Sequence, residues 1–249
     1  MVGFYGMYFH VILCLALTNA DPGKQWSLPR IDILPLIQKD TDPEKLEVTI
    51  SQLQRAAAEV GFFSIVNHGV SGQLIEDIHD AAIHFFDKPG ATKMRFALQE
   101  YNPESPTRYR GFWPREVFGK ECLAFSNPSW RTPKSNMACH ETNHRELFDS
   151  VFGTEWMMTV ENYFNTMLGL GKILFDAMTN STSVALDRDS SISTLRFNHY
   201  PERYADEKPV HFGRDGKALA LEEHVDNILL TILSQDDVGG LELLGMDNV

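Results

Sequence analysis

The sequence predicts an α+β protein, helical through its first two-thirds and built of strands towards its end. Apolar residues recur at helical spacing in three long stretches, namely Leu46 to Ala57, Leu74 to Phe85 and Trp156 to Leu174. From Ser193 the period changes to that of strands. The strand portion is brief, so the β part reads as cut short. At 249 residues with 43% apolar and 22% charged, the composition is that of an ordinary globular chain with room for a buried core.

The elements follow in order. Residues 2–17 carry no formal charge, and Thr18-Asn19-Ala20 resembles a small-residue cleavage site. Residues 1–20 therefore read as a signal peptide, which sends the chain to the secretory pathway or out of the cell; an apolar leader on a cytoplasmic protein is the alternative. The apolar run is short of the roughly 20 residues that span a bilayer, so no stable membrane span is expected. Leu28 to Pro35 alternates apolar with polar and suits a short strand. Thr41-Asp42-Pro43 starts a helix, with a capping side chain and a proline in the first turn, and Gly61 suits its end. Phe62 to Val66 is a buried strand by its β-branched and aromatic content. Ser71 caps a second helix with Leu74, Ile78, Ala81 (or Ala82) and Phe85 on one face, closed by Pro89.

Residues 90–153 are expected to hold loops and short helices. Thr154 to Met178 is the longest helix, with Trp156, Val160, Phe164, Met167 (or Leu168) and Ile173 (or Leu174) on its apolar side. Strands follow at Ser193–Tyr200, Ala218–Leu221 and Ile228–Ser234, the last joined by Asp236 to Gly240 to Leu241–Leu244 as a hairpin.

Lys+Arg 22 against Asp+Glu 34 gives a net charge of −12, a field that repels phosphate and argues against nucleic acid or an anionic membrane as partner. Without the leader, Cys122 and Cys139 remain; they can pair in an oxidising compartment and stay thiols in the cytosol. Asn180-Ser181-Thr182 fits the glycosylation acceptor pattern, which a chain of this length also meets by chance.

The chemistry concentrates in His224-Val225-Asp226. Residues two apart in a strand project to the same side, so His224 and Asp226 can converge on one ion. A neutral imidazole with a carboxylate suits Fe(II), whose oxygenase sites take two histidines and one carboxylate on one face and leave the other open. A bare triplet is a weak signal. His144-Arg145-Glu146 has the same spacing but leads into Leu147-Phe148-Asp149, and reads as a surface pair. His68 follows a strand and precedes Gly69, as a turn or packing residue would.

Taken in order, the segments are more specific. Ile31-Asp32-Ile33, then Gly61-Phe62-Phe63-Ser64-Ile65-Val66-Asn67-His68-Gly69-Val70, Arg110-Gly111-Phe112 and Glu146-Leu147-Phe148-Asp149 precede Leu195-Arg196-Phe197-Asn198-His199-Tyr200-Pro201 and the run from His224 to Gly240-Leu241. Over about residues 28–245 the chain resembles the isopenicillin N synthase-like branch of the Fe(II)/2-oxoglutarate-dependent dioxygenases. The resemblance implies a helical N-terminal dioxygenase region at 28–150, a long helix and linker at 151–190, and at 191–249 part of a double-stranded β-helix (jelly-roll) core.

It further implies Fe(II) held by His224 and Asp226, with 2-oxoglutarate as co-substrate. Asn198 would donate near the chelating end of 2-oxoglutarate and Tyr200 towards its distal carboxylate; both equally suit a role of satisfying nearby backbone groups. They share a parity with Arg196, whereas His199, where the family usually has Tyr, has the opposite one and faces away from the iron. The implied reaction splits 2-oxoglutarate with O2 into succinate and CO2 and hydroxylates or oxidises a small organic substrate.

The family's second iron histidine and its distal-carboxylate arginine lie several dozen residues beyond the H-x-D, whereas 23 residues follow Asp226 here, with no His, Lys or Arg. His211 substitutes only if its loop folds back. The expectation is thus an incomplete β-helix core and an inactive or impaired site, as in a fragment, splice product or incomplete gene model. The alternatives are a non-catalytic binding module or truncated pseudoenzyme of that family, or a protein whose missing strands come from a partner chain.

Overall fold

The computed structural model describes residues 9–12, 28–38, 41–108, 110–115, 119–128, 144–179, 193–202, 211–226, 228–236, 238 and 240–243. Most of the leader, Cys139 and the Asn180 acceptor site lie outside them. The chain packs as two compact units, one of residues 1–72, 169–185 and 225–249, the other of 73–168 and 186–224.

The first unit holds a four-stranded sheet of β1 (Phe9–Ile12), β2 (Arg30–Asp32), β3 (Phe62–Val66) and a late strand, Thr231–Leu233, in the order β2-β3-β1-Thr231–Leu233. β2 runs parallel to β3, and β1 pairs antiparallel with both β3 and the late strand. The expected strand does not reach Pro35: β2 stops at Asp32 and α1 (Leu34–Ile37) begins. Proline cannot donate to a ladder, and its fixed φ suits the first turn of a helix. Asp32 completes the switch, its Oδ1 accepting the Leu34 N–H at 2.9 Å and its Oδ2 the Asn67 amide at 2.9 Å.

α2 (Pro43–Glu59) starts as its sequence predicts. Asp42 accepts the Glu44 N–H at 3.0 Å, and Pro43 takes a position where no N–H is needed. It ends where Gly61, at φ 77°, donates to Ala56 O at 2.9 Å. Ile31, Ile33, Leu53, Phe63, Ile65 and Leu174 are buried to 3% exposure or less and form this unit's core. Gln54 Nε2 ties α2 to the Ala177 carbonyl at 3.1 Å.

The second unit is built on a three-stranded sheet, β4 (Phe112–Trp113), β5 (Glu121–Ser126) and β6 (Thr194–His199), in that order. Residues 90–153, read as loops and short helices, therefore supply the sheet's central strand as well as α4 (Gly90–Met94) and α5 (Arg145–Phe152). β5 shows no alternation because Cys122 to Ser126 are all buried, on both faces. α3 (Gly72–Phe86) and the first part of α6 (Thr154–Thr179) pack here. On α3 Ile75 is fully buried and Leu74 only partly, a shift of the apolar stripe by one residue.

The core is aromatic. Phe85 and Phe96 are wholly buried, and Phe148 stacks on Trp156 at 5.5 Å and 8°. Trp156 Nε1 donates to Ala81 O at 3.0 Å, satisfying the one polar atom that its burial would strand.

Three late expectations are corrected. The strand from Ala218 to Leu221 is confined to β8 (Ala218–Leu219), which pairs with an unanticipated β7 (His211–Phe212) through a turn closed by Gly213 N–H to Lys217 O at 2.9 Å. The strand from Ile228 to Ser234 shortens to β9 (Thr231–Leu233), with Ile228 and Leu229 each 58% exposed. Residues 241–243 carry no strand, so the expected hairpin is absent among the described residues. A strand persists only where a neighbour takes its ladder bonds, and among the described residues β1 alone pairs with β9.

Candidate functional site

The site begins with the register of β5 against β6. Cys122 lies opposite Asn198 and Ala124 opposite Arg196, while Glu121 faces His199, Leu123 faces Phe197 and Phe125 faces Leu195. Period two then sorts the side chains. Leu123, Phe125 and Phe197 enter the aromatic core. Arg196, Asn198 and Tyr200 emerge exposed on the other side.

Lys120, just before β5, reaches that open face. Its Nζ donates to Asn198 Oδ1 at 3.1 Å and to Tyr200 Oη at 3.3 Å, and lies 5.3 Å from the Tyr200 ring centroid. Sequence reasoning placed Asn198 and Tyr200 but missed Lys120, since nothing local marks it; the signal was the register of a strand that was itself overlooked. Burial pushes the Cys122 thiol up, against the opposing pull of Arg196 and Lys120. Among the described residues Cys122 is a buried thiol, and Cys139, with which it either pairs or stays unpaired, lies outside them.

The opposite face at the same end of the sheet carries a buried ionic chain. Lys93 Nζ donates to Glu121 Oε1 at 2.6 Å and to Phe86 O at 3.0 Å, and Glu121 Oε2 lies 2.9 Å from His199 Nδ1. His199 stands away from Asn198 and Tyr200, against the Phe86 ring at 5.0 Å. Glu121 and His199 flank the residues of the open face, so this chain fixes the strand ends from which Lys120 and Asn198 project.

His224 and Asp226 are not in a strand. Both lie outside regular secondary structure between β8 and β9, because β9 starts only at Thr231. Each is oriented within its own unit. His224 Nδ1 is 2.9 Å from Glu222 O, a contact that orients the imidazole ring. Asp226 Oδ2 accepts the Thr231 hydroxyl at 2.6 Å, the kind of outer hydrogen bond that aims a carboxylate ligand. By residue type, an imidazole and a carboxylate are two of the three donors of a two-histidine, one-carboxylate triad. His211, on β7, has Nδ1 4.0 Å from Glu222 Oε2, and among the described residues no group of three His, Cys, Asp or Glu is placed to hold a metal.

The other histidines of the motifs are structural. His68 Nδ1 accepts the Val70 N–H at 3.1 Å in a turn, and burial lowers its pKa. His144 occupies the N-cap of α5 at φ 43°, and its neighbour Arg145 pairs with Glu161 at 2.7 Å.

Comparison with known proteins points the same way. Residues 28–136 match the model of the non-haem dioxygenase in morphine synthesis N-terminal family. Isopenicillin N synthase of Streptomyces griseus is 26% identical over 87% of this chain and 68% of its own length. The 1-aminocyclopropane-1-carboxylate oxidase homolog 1 of Arabidopsis thaliana is 27% identical over 92% of this chain, which spans 58% of that protein. A putative 2OG-Fe(II) oxygenase family protein from Caulobacter crescentus shares the fold, with a TM-score of 0.52 at 19% identity over 86% of this chain and 75% of that one. Residues 28–136 thus resemble the N-terminal region of a non-haem dioxygenase, and the chain as a whole is similar to isopenicillin N synthase and to 1-aminocyclopropane-1-carboxylate oxidase homologs.

Proposed function

We propose that this chain contributes the co-substrate face and two iron ligands of a dioxygenase that oxidises a small organic substrate at the expense of 2-oxoglutarate and O2. The observation that carries this reading is the open face of β6, where Asn198 and Tyr200 meet an ammonium group within 3.3 Å. Such a face suits an anionic, oxygen-rich co-substrate. By resemblance His224 and Asp226 would be the iron ligands, each oriented by a hydrogen bond to its own neighbourhood. A bound Fe(II) supplies the O2 activation that no side chain can. The chain's own part is to orient the keto acid through Asn198 and Tyr200 and to neutralise its charge.

The test is conversion of 2-oxoglutarate to succinate by the purified chain, with Fe(II) and O2 supplied and each omitted in turn. Succinate formation that needs both supports the reading; none under any condition rejects catalysis by this chain. A second reading, a binding module without turnover, is favoured by the lack of a third metal-ligating side chain among the described residues. It predicts 2-oxoglutarate binding with no succinate.

The leader proposal carries its own test. Residues 9–12 pair into the first unit's sheet, whereas a signal peptide would be removed with them. Intact mass of the mature protein decides: processing near Ala20 supports the secretory route, and a retained Met1 rejects it.

A further inference from the structure

We infer that the N-terminal strand β1 is a retained part of the protein that positions Asp226 through β9, an inference that rests on reading Asp226 as an iron ligand. Asp226 lies outside regular secondary structure, and its Oδ2 accepts the Thr231 hydroxyl at 2.6 Å. The carboxylate is thus aimed by the first residue of β9. β9 is three residues long, too short to hold its place without a neighbour. Among the described residues its backbone pairs with β1 alone: Thr231 lies opposite Ile12, Ile232 opposite Val11 and Leu233 opposite His10. β1 passes the hold to β3, with Ile12 opposite Phe62 and Phe9 opposite Ile65, and β3 in turn pairs with β2. Residues 9–12 therefore connect the carboxylate to the sheet of the first unit.

Nothing else in the sheet can take over from β1. Neighbouring strands stand about 4.8 Å apart, so β3 and β9, with β1 between them, are about 10 Å from each other, far beyond the ~3 Å reach of a backbone hydrogen bond. α6 supports β9 by packing: a Cβ on Gly171 would lie 3.7 Å from Ile232 Cδ1 and 3.8 Å from Leu230 Cδ2, so the glycine leaves room for both. Apolar packing is non-directional and leaves register open. The ladder with β1 sets it, and a slip of one residue would carry the Thr231 hydroxyl to the other face of the sheet. The residues suit the task. Phe9, Val11 and Ile12 are strand-forming types, so the composition that marks residues 2–17 as a leader also serves a strand paired on both edges.

The test applies two measurements to the full chain, amide hydrogen exchange read by mass spectrometry and calorimetric titration with Mn(II). In wild type, residues 9–12 and 231–233 are expected to exchange slowly and to open together. Val11→Pro removes an N–H from the middle of β1, and a strand paired on both edges does not accept proline. It is expected to release 231–233 to fast exchange, to weaken Mn(II) about 10- to 100-fold, and to leave residues 64–66 protected through β2. Val11→Ile, which keeps the N–H, is expected to match wild type in both measurements. Residues 9–12 that exchange in wild type as fast as an unstructured peptide overturn the inference, a result that requires no variant to fold; so does a mature chain that begins after Ala20. Unchanged protection of 231–233 in Val11→Pro, or unchanged Mn(II) affinity, also overturns it and leaves Asp226 standing as a ligand. A wild-type chain that binds no Mn(II) overturns the ligand reading and this inference together.

Discussion

Replacing Lys93 by Met removes one partner from the most deeply buried charge pair described in the molecule. The Lys93 and Glu121 side chains are 11% and 12% exposed, with Nζ and Oε1 2.6 Å apart. Met keeps the length and apolar stem of Lys but none of its charge. Glu121 then retains only His199, at 2.9 Å, to balance a carboxylate sealed from water, and the Phe86 carbonyl loses its 3.0 Å donor. Breaking one side of such a pair costs about 3–5 kcal/mol, far more than the intact pair contributes over an apolar substitute. For a domain of this size a loss of about 4 kcal/mol lowers Tm by about 8–16 °C. Thermal unfolding followed by circular dichroism reads the shift. The double variant Lys93→Met with Glu121→Leu is expected to regain most of the loss, because no charge is left stranded. A single variant that melts within about 2 °C of wild type would refute the claim that this pair is desolvated.

Three further outcomes follow from particular contacts. Gly111 has φ 152°, and a Cβ there would meet Phe96 O at 2.5 Å, so Gly111→Ala is expected to destabilise by about 2–3 kcal/mol in urea unfolding. Neutral His68 accepts the Val70 N–H, and its pKa lies below the ordinary 6.5 because of burial. Protonation is therefore harder folded than unfolded: its stabilising contribution is present above pH 6.5 and is lost as pH falls through the lowered pKa. Urea unfolding between pH 7.5 and 5 should show this slope and His68→Gln should flatten it; an unchanged slope counts against the assignment. Thr231→Val removes the 2.6 Å bond to Asp226 and should weaken Mn(II) binding about 10- to 100-fold, measured by calorimetry, with Tm little changed.

The helices were legible because each carries its own signals. Asp42-Pro43 and Gly61 bracket α2, and Trp156, Val160 and Phe164 stripe α6 with no help from elsewhere in the chain. β5 was not legible: a strand buried on both faces loses its alternation, and Cys122 to Ser126 sits among the Gly, Pro and Asn of a loop-like region. Missing β5 hid everything that depends on its register, including Lys120 beneath Asn198 and the pairing of Lys93 with a carboxylate 28 residues away. Lys93 itself reads as a surface residue, since lysine is almost never buried without a partner.

The β7–β8 hairpin did have a local signal, Asp215-Gly216 in its turn, that the reading passed over. β9 was placed correctly but too long. Its ladder partner comes from residues 9–12, which the sequence marks as a leader and not as part of a sheet. That Asn198 and Tyr200 share a face and His199 takes the other was legible from parity, because one residue's shift in a strand exchanges its two faces, whereas their choice as site residues came from the family resemblance.

The most direct test is anaerobic addition of Fe(II) and 2-oxoglutarate to the wild-type chain, read as the visible charge-transfer absorption of a chelated 2-oxo acid. The expected result is an absorption in wild type that is lost in His224→Ala and in Asp226→Ala, with both variants folded. No absorption in wild type, or one of equal intensity in both variants, would contradict the assignment of these residues to iron.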